Sequence, residues 1–416
     1  MLDHLKKTDP ETYAFLQQEL ERQKNTLNLI ASENYASLAV LEALGSVATN
    51  KYAEGYPSRR YYAGNTYIDG IEALAISRAK SLFNAEHANV QPLSGAPANL
   101  AVYTALLKPG DTILSLDLNY GGHLTHGSPV TAVSHFYRFV HYKADKKTGK
   151  IDFVEVEALA KKEKPKLILA GYSSYSKEID YKEFKRIADL VGAYTMADIS
   201  HIAGLIVAGE MQNPTLLFDV VTTTTHKTLR GPRGGLILCK EKIAFLIDKA
   251  VFPGLQGGPH PHSLAAKAVC FQEALQPAFR QYAKQIKKNA AALCKALLKR
   301  NFTIVFGNTE NHLLLIDLTN KNISGKQAQD SLEKVGLIVN KNVIPEDTRK
   351  PLDPSGIRIG TPAVTTRGLK EEHMEMIAQW IDEVIQNSND DAKLTQIHRQ
   401  VQKLAQQFPI YKELNY

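Results

Sequence analysis

The stretch YTMADISHIAGLIVAGEMQNPTLLFDVVTTTTHKTLRGPRGGLILC, residues 194–239, contains three short apolar runs, each typical of a β-strand. The first run ends at Asp198, and the second is followed by Lys227 and a glycine-rich turn. Similar runs occur upstream, at residues 111–118 and 166–172. Strands that alternate with helical or loop segments predict βαβ units and a mainly parallel sheet. The sequence therefore predicts an α/β fold, with helices that flank a central sheet.

The chain changes character after this strand-rich region. A long helical segment covers residues 263–299, with a break predicted at Gln276-Pro277, and shorter strands and helices follow it. The first residues of the chain have apolar side chains at helical spacing. We expect an N-terminal helical arm, a large domain and a smaller C-terminal α/β domain, over residues 1–45, 46–275 and 276–416 respectively.

The composition of the 416 residues is that of a globular protein, with 44% hydrophobic and 22% charged residues. It excludes collagen-like, coiled-coil and disordered proteins. The sequence has no apolar run long enough for a transmembrane helix, and its start does not read as a secretory signal. The three cysteines, Cys239, Cys270 and Cys294, form no CxxC pair. This argues against zinc and for a reducing compartment, so we expect a cytoplasmic protein with no metal and no membrane partner.

The net charge of +7 is a modest excess of basic residues. Nucleic-acid-binding surfaces usually interleave basic and aromatic residues or belong to a known module, and neither feature is present in the sequence. Charge alone supports only nonspecific attraction. A nucleic-acid partner is therefore not expected.

Three segments carry residues whose chemistry suits a cofactor. Asp198 follows an apolar strand, where a carboxylate is costly without a partner, and Lys227 follows the next strand. The segment Ser94-Gly95-Ala96 leads into a helix, whose first N–H groups can bind an anion. A lysine, a carboxylate and an anion site are the parts that a pyridoxal phosphate (PLP) enzyme requires. Each part alone is more often structural, but their order along the chain is much more specific.

Eight longer runs of the sequence match one known family over essentially the whole chain. On these runs the chain resembles serine hydroxymethyltransferase, a fold-type I PLP-dependent transferase. The runs are residues 29–37, 50–69, 89–99, 121–130, 197–209, 220–235, 251–259 and 357–363. The resemblance implies the reversible conversion of L-serine and tetrahydrofolate to glycine and 5,10-methylenetetrahydrofolate, through a Schiff base on PLP. This activity belongs to one-carbon metabolism and glycine biosynthesis.

The resemblance also implies which residues bind the cofactor. It makes Lys227 the Schiff-base lysine and Asp198 the partner of the pyridine nitrogen, and places His226 beside the lysine, where the family influences substrate specificity. These three residues and Glu54 are the expected catalytic residues. The other cofactor-binding residues that it implies are Ser94, Gly95, Ala96, His123, Ser173, His201, Arg233, Gly257, Gly258 and Tyr52. Gly257 and Gly258 are expected to come from the neighbouring subunit, which implies a homodimer with shared active sites.

The substrate-binding residues follow from the same resemblance. Arg358 is expected to grip the substrate carboxylate with its guanidinium fork, assisted by Ser32. Glu54 is expected to transfer protons and, with Tyr52 and Tyr62, to reach across the dimer interface. The folate pocket is expected to include Leu118, Gly122, Leu124 and Asn342.

Two other functions fit part of the sequence. Another aldolase or acyltransferase of the same cofactor class would keep Lys227 and Asp198 but need no folate. A basic, non-catalytic binding protein could also retain the fold, although the set of Lys227, Asp198, His201 and Arg358 argues against it. Among the single residues, His126 is interpreted as a core histidine, and the tyrosines around Glu54 could serve only in interface packing.

Overall fold

The computed structural model of the protein describes residues 3–414. The chain divides into two compact units. The large unit contains Ala36–Lys287 and Val305–His312. The small unit contains Lys288–Ile304 together with the described residues before Ala36 and after His312. The three predicted segments, an arm over 1–45 and domains over 46–275 and 276–416, stay a prediction about how the chain is organised.

A seven-stranded sheet forms the centre of the large unit. Numbered in chain order, its strands are β1 (His87–Asn89), β2 (Thr112–Leu116), β3 (Arg138–Tyr142), β4 (Leu167–Gly171), β5 (Tyr194–Asp198), β6 (Val220–Thr224) and β7 (Gly235–Cys239). Their spatial order is β1-β7-β6-β5-β4-β2-β3. All neighbours are parallel except β7, which is antiparallel to both β1 and β6. The predicted α/β class with a mainly parallel sheet is confirmed.

The register of the sheet brings separate parts of the sequence to one edge. Asp198, the last residue of β5, pairs with Gly171 of β4 and with Thr222 of β6. Gly235, the first residue of β7, pairs with Thr224, the last residue of β6. In open parallel sheets, binding sites form outside the carboxyl ends of the strands. The two segments that the sequence selected, after β5 and after β6, both begin at this edge.

Helices of the large unit precede, separate and follow the strands of its sheet along the chain. Their apolar residues recur every three or four positions, as in the helix Tyr181–Val191, which buries Tyr181, Phe184 and Ile187. The α-helices are Leu38–Leu44, Thr66–Phe83, Gly95–Leu106, Val133–Phe136, Phe153–Glu163, Tyr181–Val191, Ala203–Val207, Glu241–Lys249 and Pro261–Ala274. Shorter helical turns are Val47–Asn50, Leu118–Tyr120, Leu124–His126 and Ala250–Leu255, and a small hairpin pairs Gly55–Tyr56 with Arg59–Arg60.

A dry core joins this sheet to its helices. Ile113, Leu169 and Met196 from three neighbouring strands belong to one buried cluster with Ala98 and Val102 of the helix Gly95–Leu106. Burial of such side chains is the main favourable contribution to folding. The start of this helix, at Ser94, is therefore anchored by packing further along its length.

The small unit has its own sheet and core. Its strands are β8 (Thr303–Ile304), β9 (Leu313–Asp317), β10 (Asn340–Asn342) and β11 (Gly356–Gly360), in the antiparallel order β8-β9-β11-β10. A short parallel pair joins Leu27–Asn28 to Leu337–Ile338. The helices are Asp3–Thr8, Pro10–Asn25, Gly325–Lys334, Pro362–Thr366, Glu371–Gln386 and Asp391–Gln407, with a helical turn at Thr319–Lys321.

The predicted break in the long helical segment is confirmed. One helix, Pro261–Ala274, ends before Gln276, and the next, Pro277–Leu298, begins with the proline. Proline is favoured at the first position of a helix because its missing N–H would have no partner there. Among residues 3–414, no helix combines the length and the apolar character needed to cross a membrane.

Candidate active site

Asp198 lies buried at the carboxyl end of β5 and accepts four hydrogen bonds. Its Oδ1 accepts from the backbone N–H of Ser200 (3.1 Å) and from the Ser200 hydroxyl (2.6 Å). Its Oδ2 accepts from Nδ2 of Asn99 (2.9 Å) and lies 3.1 Å from Nε2 of His126. Only 5% of the residue is exposed. A buried carboxylate needs such partners, and these also fix the direction in which its charge points.

The two histidines of the 123–126 turn lie beside this carboxylate. Nδ1 of His126 accepts the backbone N–H of His123 (3.1 Å), so Nε2 carries the proton that is donated to Asp198. Nδ1 of His123 accepts the backbone N–H of Thr125 (3.2 Å). His126 was interpreted from the sequence as a core histidine. The structure buries it, but against Asp198, where it holds the carboxylate in place.

The pKa of Asp198 reflects two opposing effects. Burial alone would raise the pKa of the carboxyl group. The hydrogen bond from His126, the electrostatic interactions with His126 and His123 and the hydrogen bond from Asn99 outweigh burial and hold the pKa far below its usual range. Asp198 therefore carries a negative charge at any physiological pH.

Lys227 follows β6, the strand next to Asp198. Its Nζ donates to Oγ1 of Thr224 (3.0 Å), the last residue of β6. The following residue, Thr228, donates from its hydroxyl to the backbone carbonyl of His201 (2.9 Å) and accepts from the N–H of Gly204 (3.0 Å). These two bonds tie the loop after β6 to the loop after β5. The lysine and the carboxylate are thus held on neighbouring loops of one sheet edge.

His226 carries a buried nitrogen atom. Its Nδ1 has no hydrogen-bond partner among the described residues. Burial first, and then the positive charges of Lys227 and Arg233, lower the pKa of its imidazole to about 3. His226 is therefore neutral at pH 7, with a polar atom to offer to a bound group. Arg233 itself is exposed.

The turn at residues 94–96 begins the helix Gly95–Leu106. Ser94 is the N-cap residue, in extended conformation, and its side chain makes no capping hydrogen bond within the described chain. The first N–H groups of a helix have no acceptor inside it and carry the positive end of its dipole. A hydroxyl and N–H groups at one helix start form a donor set for an anion.

Ser173 and His201 lie on loops at the same edge of the sheet. The N–H of Ser173, just after β4, donates to the carbonyl of Gly121 (2.7 Å). Gly121 has φ 109°, and a Cβ there would lie 2.8 Å from the backbone nitrogen of Tyr175, so a side chain would push the two loops apart. Nδ1 of the buried His201 lies 3.2 Å from Nε2 of His312.

Tyr52, Glu54 and Tyr62 lie together with Gly257 and Gly258. The rings of Tyr52 and Tyr62 contact each other edge to face, with centroids 4.9 Å apart. A Cβ built on Gly258 would lie 3.6 Å from Cγ of Glu54 and 3.6 Å from Cε1 of Tyr52. The charge of Glu54, and its hydrogen bond, raise the pKa of the Tyr52 hydroxyl. We call these five residues the tyrosine–glutamate cluster.

Three of the predicted folate-pocket residues lie in one loop after β2. Leu118 is in the turn Leu118–Tyr120, and the N–H of Gly122 donates to the carbonyl of Asp117 (2.9 Å). Leu124 is 47% exposed, which is unusual for a leucine in a well-packed unit. The fourth, Asn342, lies in β10 of the small unit, where its Nδ2 donates to the carbonyl of Val343 (2.7 Å).

Arg358 and Ser32 meet in the small unit although 326 residues separate them in the chain. Arg358 lies in β11 and is buried, and its Nη2 donates to Oγ of Ser32 across 3.4 Å. Its Nε donates to Oδ1 of Asn340 (3.2 Å). Burial lowers the pKa of the guanidinium to about 10, against the opposing charge of Glu33, so Arg358 stays positive at pH 7. A buried guanidinium offers a strong site for a carboxylate.

The serine hydroxymethyltransferase family model matches residues 5–381 of the chain. The chain belongs to the serine hydroxymethyltransferase family. Members of this family are PLP-dependent transferases that use tetrahydrofolate as co-substrate and interconvert serine and glycine. The predicted family, enzyme class, activity and cofactors are confirmed by this match.

The residues of this serine hydroxymethyltransferase site fit PLP. The start of the helix Gly95–Leu106 offers donors to a phosphate, and Asp198 offers a negative charge to a ring nitrogen. Lys227, on the loop after the next strand, offers an amine, and the buried Nδ1 of His226 offers one further polar atom. These groups match the chemistry of the phosphate, the pyridine nitrogen and the aldehyde of PLP.

His123, His126 and Asp198 also satisfy the distance criterion for a metal site, with one ligand atom of each within 4.8 Å of the others. In this structure, Nε2 of His126 is already hydrogen-bonded to Asp198. A metal ion would have to break that bond before it could take either atom as a ligand. The expectation that the serine hydroxymethyltransferase site uses no metal stays a prediction.

Proposed function

We propose that Lys227, Asp198, Arg358 and Glu54 divide the work of serine hydroxymethyl transfer in this chain. The observation that carries the proposal is the placement of Asp198 and Lys227 at the ends of the neighbouring parallel strands β5 and β6. Thr228 ties their two loops together. Lys227 holds the cofactor covalently through its ε-amine, and the 94–96 turn holds the phosphate.

Asp198 holds a proton on the pyridine nitrogen. When bound, the cofactor supplies a ring that accepts the electrons released as the Cα–Cβ bond of serine breaks. Four hydrogen bonds keep the Asp198 carboxylate ionised and oriented, so its charge needs no reorganisation during the reaction. His126, which the sequence did not select, contributes by orienting this carboxylate.

Arg358 binds the carboxylate of the amino-acid substrate, and Ser32 and Asn340 fix the plane of its guanidinium. A planar fork matches the two oxygens of a carboxylate. The burial of Arg358 strengthens that attraction because fewer water molecules compete with it. Leu118, Gly122, Leu124 and Asn342 contribute to the folate pocket.

Glu54 moves the proton of the serine hydroxyl, and it acts in the active site of a second copy of the chain. Support comes from the exposed tyrosines around it: Tyr52, Tyr61 and Tyr67 are 56%, 74% and 86% exposed in the single chain. Large exposed aromatic side chains are typical of subunit interfaces. The protein is therefore a homodimer in which the tyrosine–glutamate cluster completes the partner's site.

The cytoplasm is the proposed location. All three cysteines are buried and free, and burial raises the pKa of the Cys239 thiol to about 12. Thiols of this kind react slowly with oxidants and fit a reducing compartment, where no disulfide is needed.

The experiment supplies the purified chain with PLP and L-serine, with and without tetrahydrofolate, and measures glycine and the methylene-folate product. Folate-dependent glycine formation is expected, and Lys227→Ala should abolish it while the control Lys182→Ala, at an exposed position, keeps it. Equal activity of Lys227→Ala and the control would contradict the assigned role of Lys227. Glycine formation that is fast and independent of folate would instead support the aldolase alternative.

A further inference from the structure

We propose that Lys267 is a positioning residue that fixes the phosphate-binding turn, residues 94–96, against the start of β7. The inference rests on the proposed role of that turn. On this inference, Lys267 strengthens binding of the phosphate group of the cofactor and does not affect binding of the pyridine ring.

Among the described residues of the large unit, Lys267 has the most deeply buried positive charge that is not in contact with a carboxylate. The side chain extends from the helix Pro261–Ala274 and is 1% exposed. Its Nζ donates to three backbone carbonyls: Val90 (2.6 Å), Gly235 (2.9 Å) and Pro92 (3.0 Å). An ammonium has three N–H donors, so these three acceptors use all of them.

The three carbonyls belong to two adjacent segments that lead to the phosphate-binding turn and from the Lys227 loop. Val90 and Pro92 lead from β1 into the phosphate-binding turn, and Gly235 begins β7, just after the Lys227 loop. The carbonyl of Pro92 also accepts the N–H of Gly235 (2.9 Å). One ammonium therefore connects both segments at the point where they already touch.

The approach of these segments is close enough that a side chain would separate them. A Cβ on Gly235 would lie 2.4 Å from the carbonyl oxygen of Ser94, the first residue of the turn. A Cβ on Gly234 would lie 2.4 Å from Cε of Lys267 and 3.0 Å from its Nζ. The glycine pair thus leaves room both for the turn and for the lysine that holds it.

This arrangement is costly as mere packing. Burial lowers the pKa of Lys267 to about 7, with Glu72 the nearby charge that opposes the shift. A buried charge destabilises a fold unless it is fully hydrogen-bonded, and apolar residues of similar volume usually fill such space at lower cost. The ammonium lies on the carbonyls that flank the turn, so it can hold the turn in place. An apolar side chain of the same size could not do so.

Loss of Lys267 should affect binding of the phosphate group of the cofactor and not binding of its pyridine ring. The N–H groups of the 94–96 turn can bind phosphate well only if their directions are fixed before binding. Loss of the Lys267 bonds removes the ammonium from the carbonyls of Val90 and Pro92, so the path of the chain into the turn is less firmly fixed. A ligand with a phosphate should then bind more weakly, whereas one without it should bind as before.

The test measures binding of PLP and of pyridoxal, which lacks the phosphate, to the apo form of the full-length chain. Lys267→Met keeps the length of the side chain and removes its donors. It should weaken PLP binding at least about tenfold and leave pyridoxal binding within about twofold. The matched control is Arg78→Met, since Arg78 donates to the carbonyl of Ala268 in the same helix but does not contact the turn (2.8 Å).

A second variant covers the case in which Lys267→Met does not fold. Gly234→Ala keeps the charge of Lys267 but pushes its ammonium off the three carbonyls, and it should show the same selective loss of PLP binding. Equal losses for PLP and pyridoxal, or no loss in either variant, would overturn the inference. Failure of the wild-type chain to bind PLP at all would instead overturn the proposed function on which it rests.

Discussion

The hydroxyl of Ser200 donates a 2.6 Å hydrogen bond to Oδ1 of Asp198, and the N–H of the same residue donates to the same oxygen across 3.1 Å. Ser200 therefore supplies two of the four donors that the carboxylate accepts. The other oxygen, Oδ2, is held by Asn99 and His126. Asp198 is therefore restrained on both sides, and its charge is fixed in direction.

Replacement of Asp198 by Asn should leave the fold nearly intact and lower kcat by about 10²–10³-fold, because a neutral amide cannot hold a proton on the pyridine nitrogen. Circular dichroism and steady-state kinetics check both parts. Ser200→Ala is the matched control: it removes one donor but keeps the charge, so kcat should change only a few-fold. Near-normal serine cleavage in Asp198→Asn would remove Asp198 from its assigned role.

Replacement of Arg358 by Lys should weaken serine binding by about 10–100-fold, because a point ammonium cannot make the paired bonds of a planar fork. The absorbance of the bound cofactor should be unchanged. Serine titration of that absorbance measures the affinity, with Arg300→Lys, which changes a salt-bridged arginine of the same unit, as the control. Unchanged serine affinity in Arg358→Lys would place the carboxylate site elsewhere.

His226 should make the apo form sensitive to acid. Its pKa is about 3 in the folded chain, because of burial and then the charges of Lys227 and Arg233, against about 6.5 when unfolded. Below pH 6.5 the unfolded chain takes up a proton that the folded chain refuses, so stability falls progressively between pH 6.5 and pH 3.

The comparison that isolates this effect is wild type against His226→Asn, by urea denaturation of the apo forms at pH 7 and pH 5. Wild type should lose about 1–2 kcal/mol more than the variant over that range. An equal loss in both proteins would show that His226 is not the group responsible.

The sequence predicted most of the central sheet because its strands depend on local pattern. The runs that end at Asp198 and at Thr224 are apolar and flanked by breakers, and both are strands as expected. Strand β3, Arg138–Tyr142, was missed: it lies at the sheet edge, is mostly only partly buried and carries Arg138 and His141, so it is not a continuous apolar run.

Local sequence pattern could not predict side-chain contacts between residues that are far apart in the chain. Nothing in the sequence around Lys267 shows that its ammonium will contact two carbonyls, those of Val90 and Pro92, that lie 177 and 175 residues away in the chain. His126 was interpreted as a core residue, and only the fold reveals that its Nε2 faces Asp198. Residues of this kind act through others, so neither spacing nor composition selects them.

The shared site can be tested by mixing two inactive variants, Lys227→Ala and Glu54→Gln. If Glu54 acts in the partner's site, each hybrid dimer has one site with both groups and one with neither. Random exchange makes about half of the dimers hybrid, so activity should return to roughly a quarter of the wild-type value if sites act independently. If mass spectrometry verifies exchange and no activity returns, Glu54 acts within its own chain.

The most direct test of the central claim, that Lys227 carries the cofactor, is borohydride reduction of the PLP-loaded protein followed by peptide mass mapping. Lys227 and Lys267 provide an internal comparison, since both are large-unit lysines near the candidate site but only Lys227 is assigned a covalent role. After reduction we expect the visible absorbance of the cofactor to be lost. The peptide that contains Lys227 should carry a phosphopyridoxyl group. A phosphopyridoxyl group on Lys267 or another lysine, with Lys227 unmodified, would contradict it.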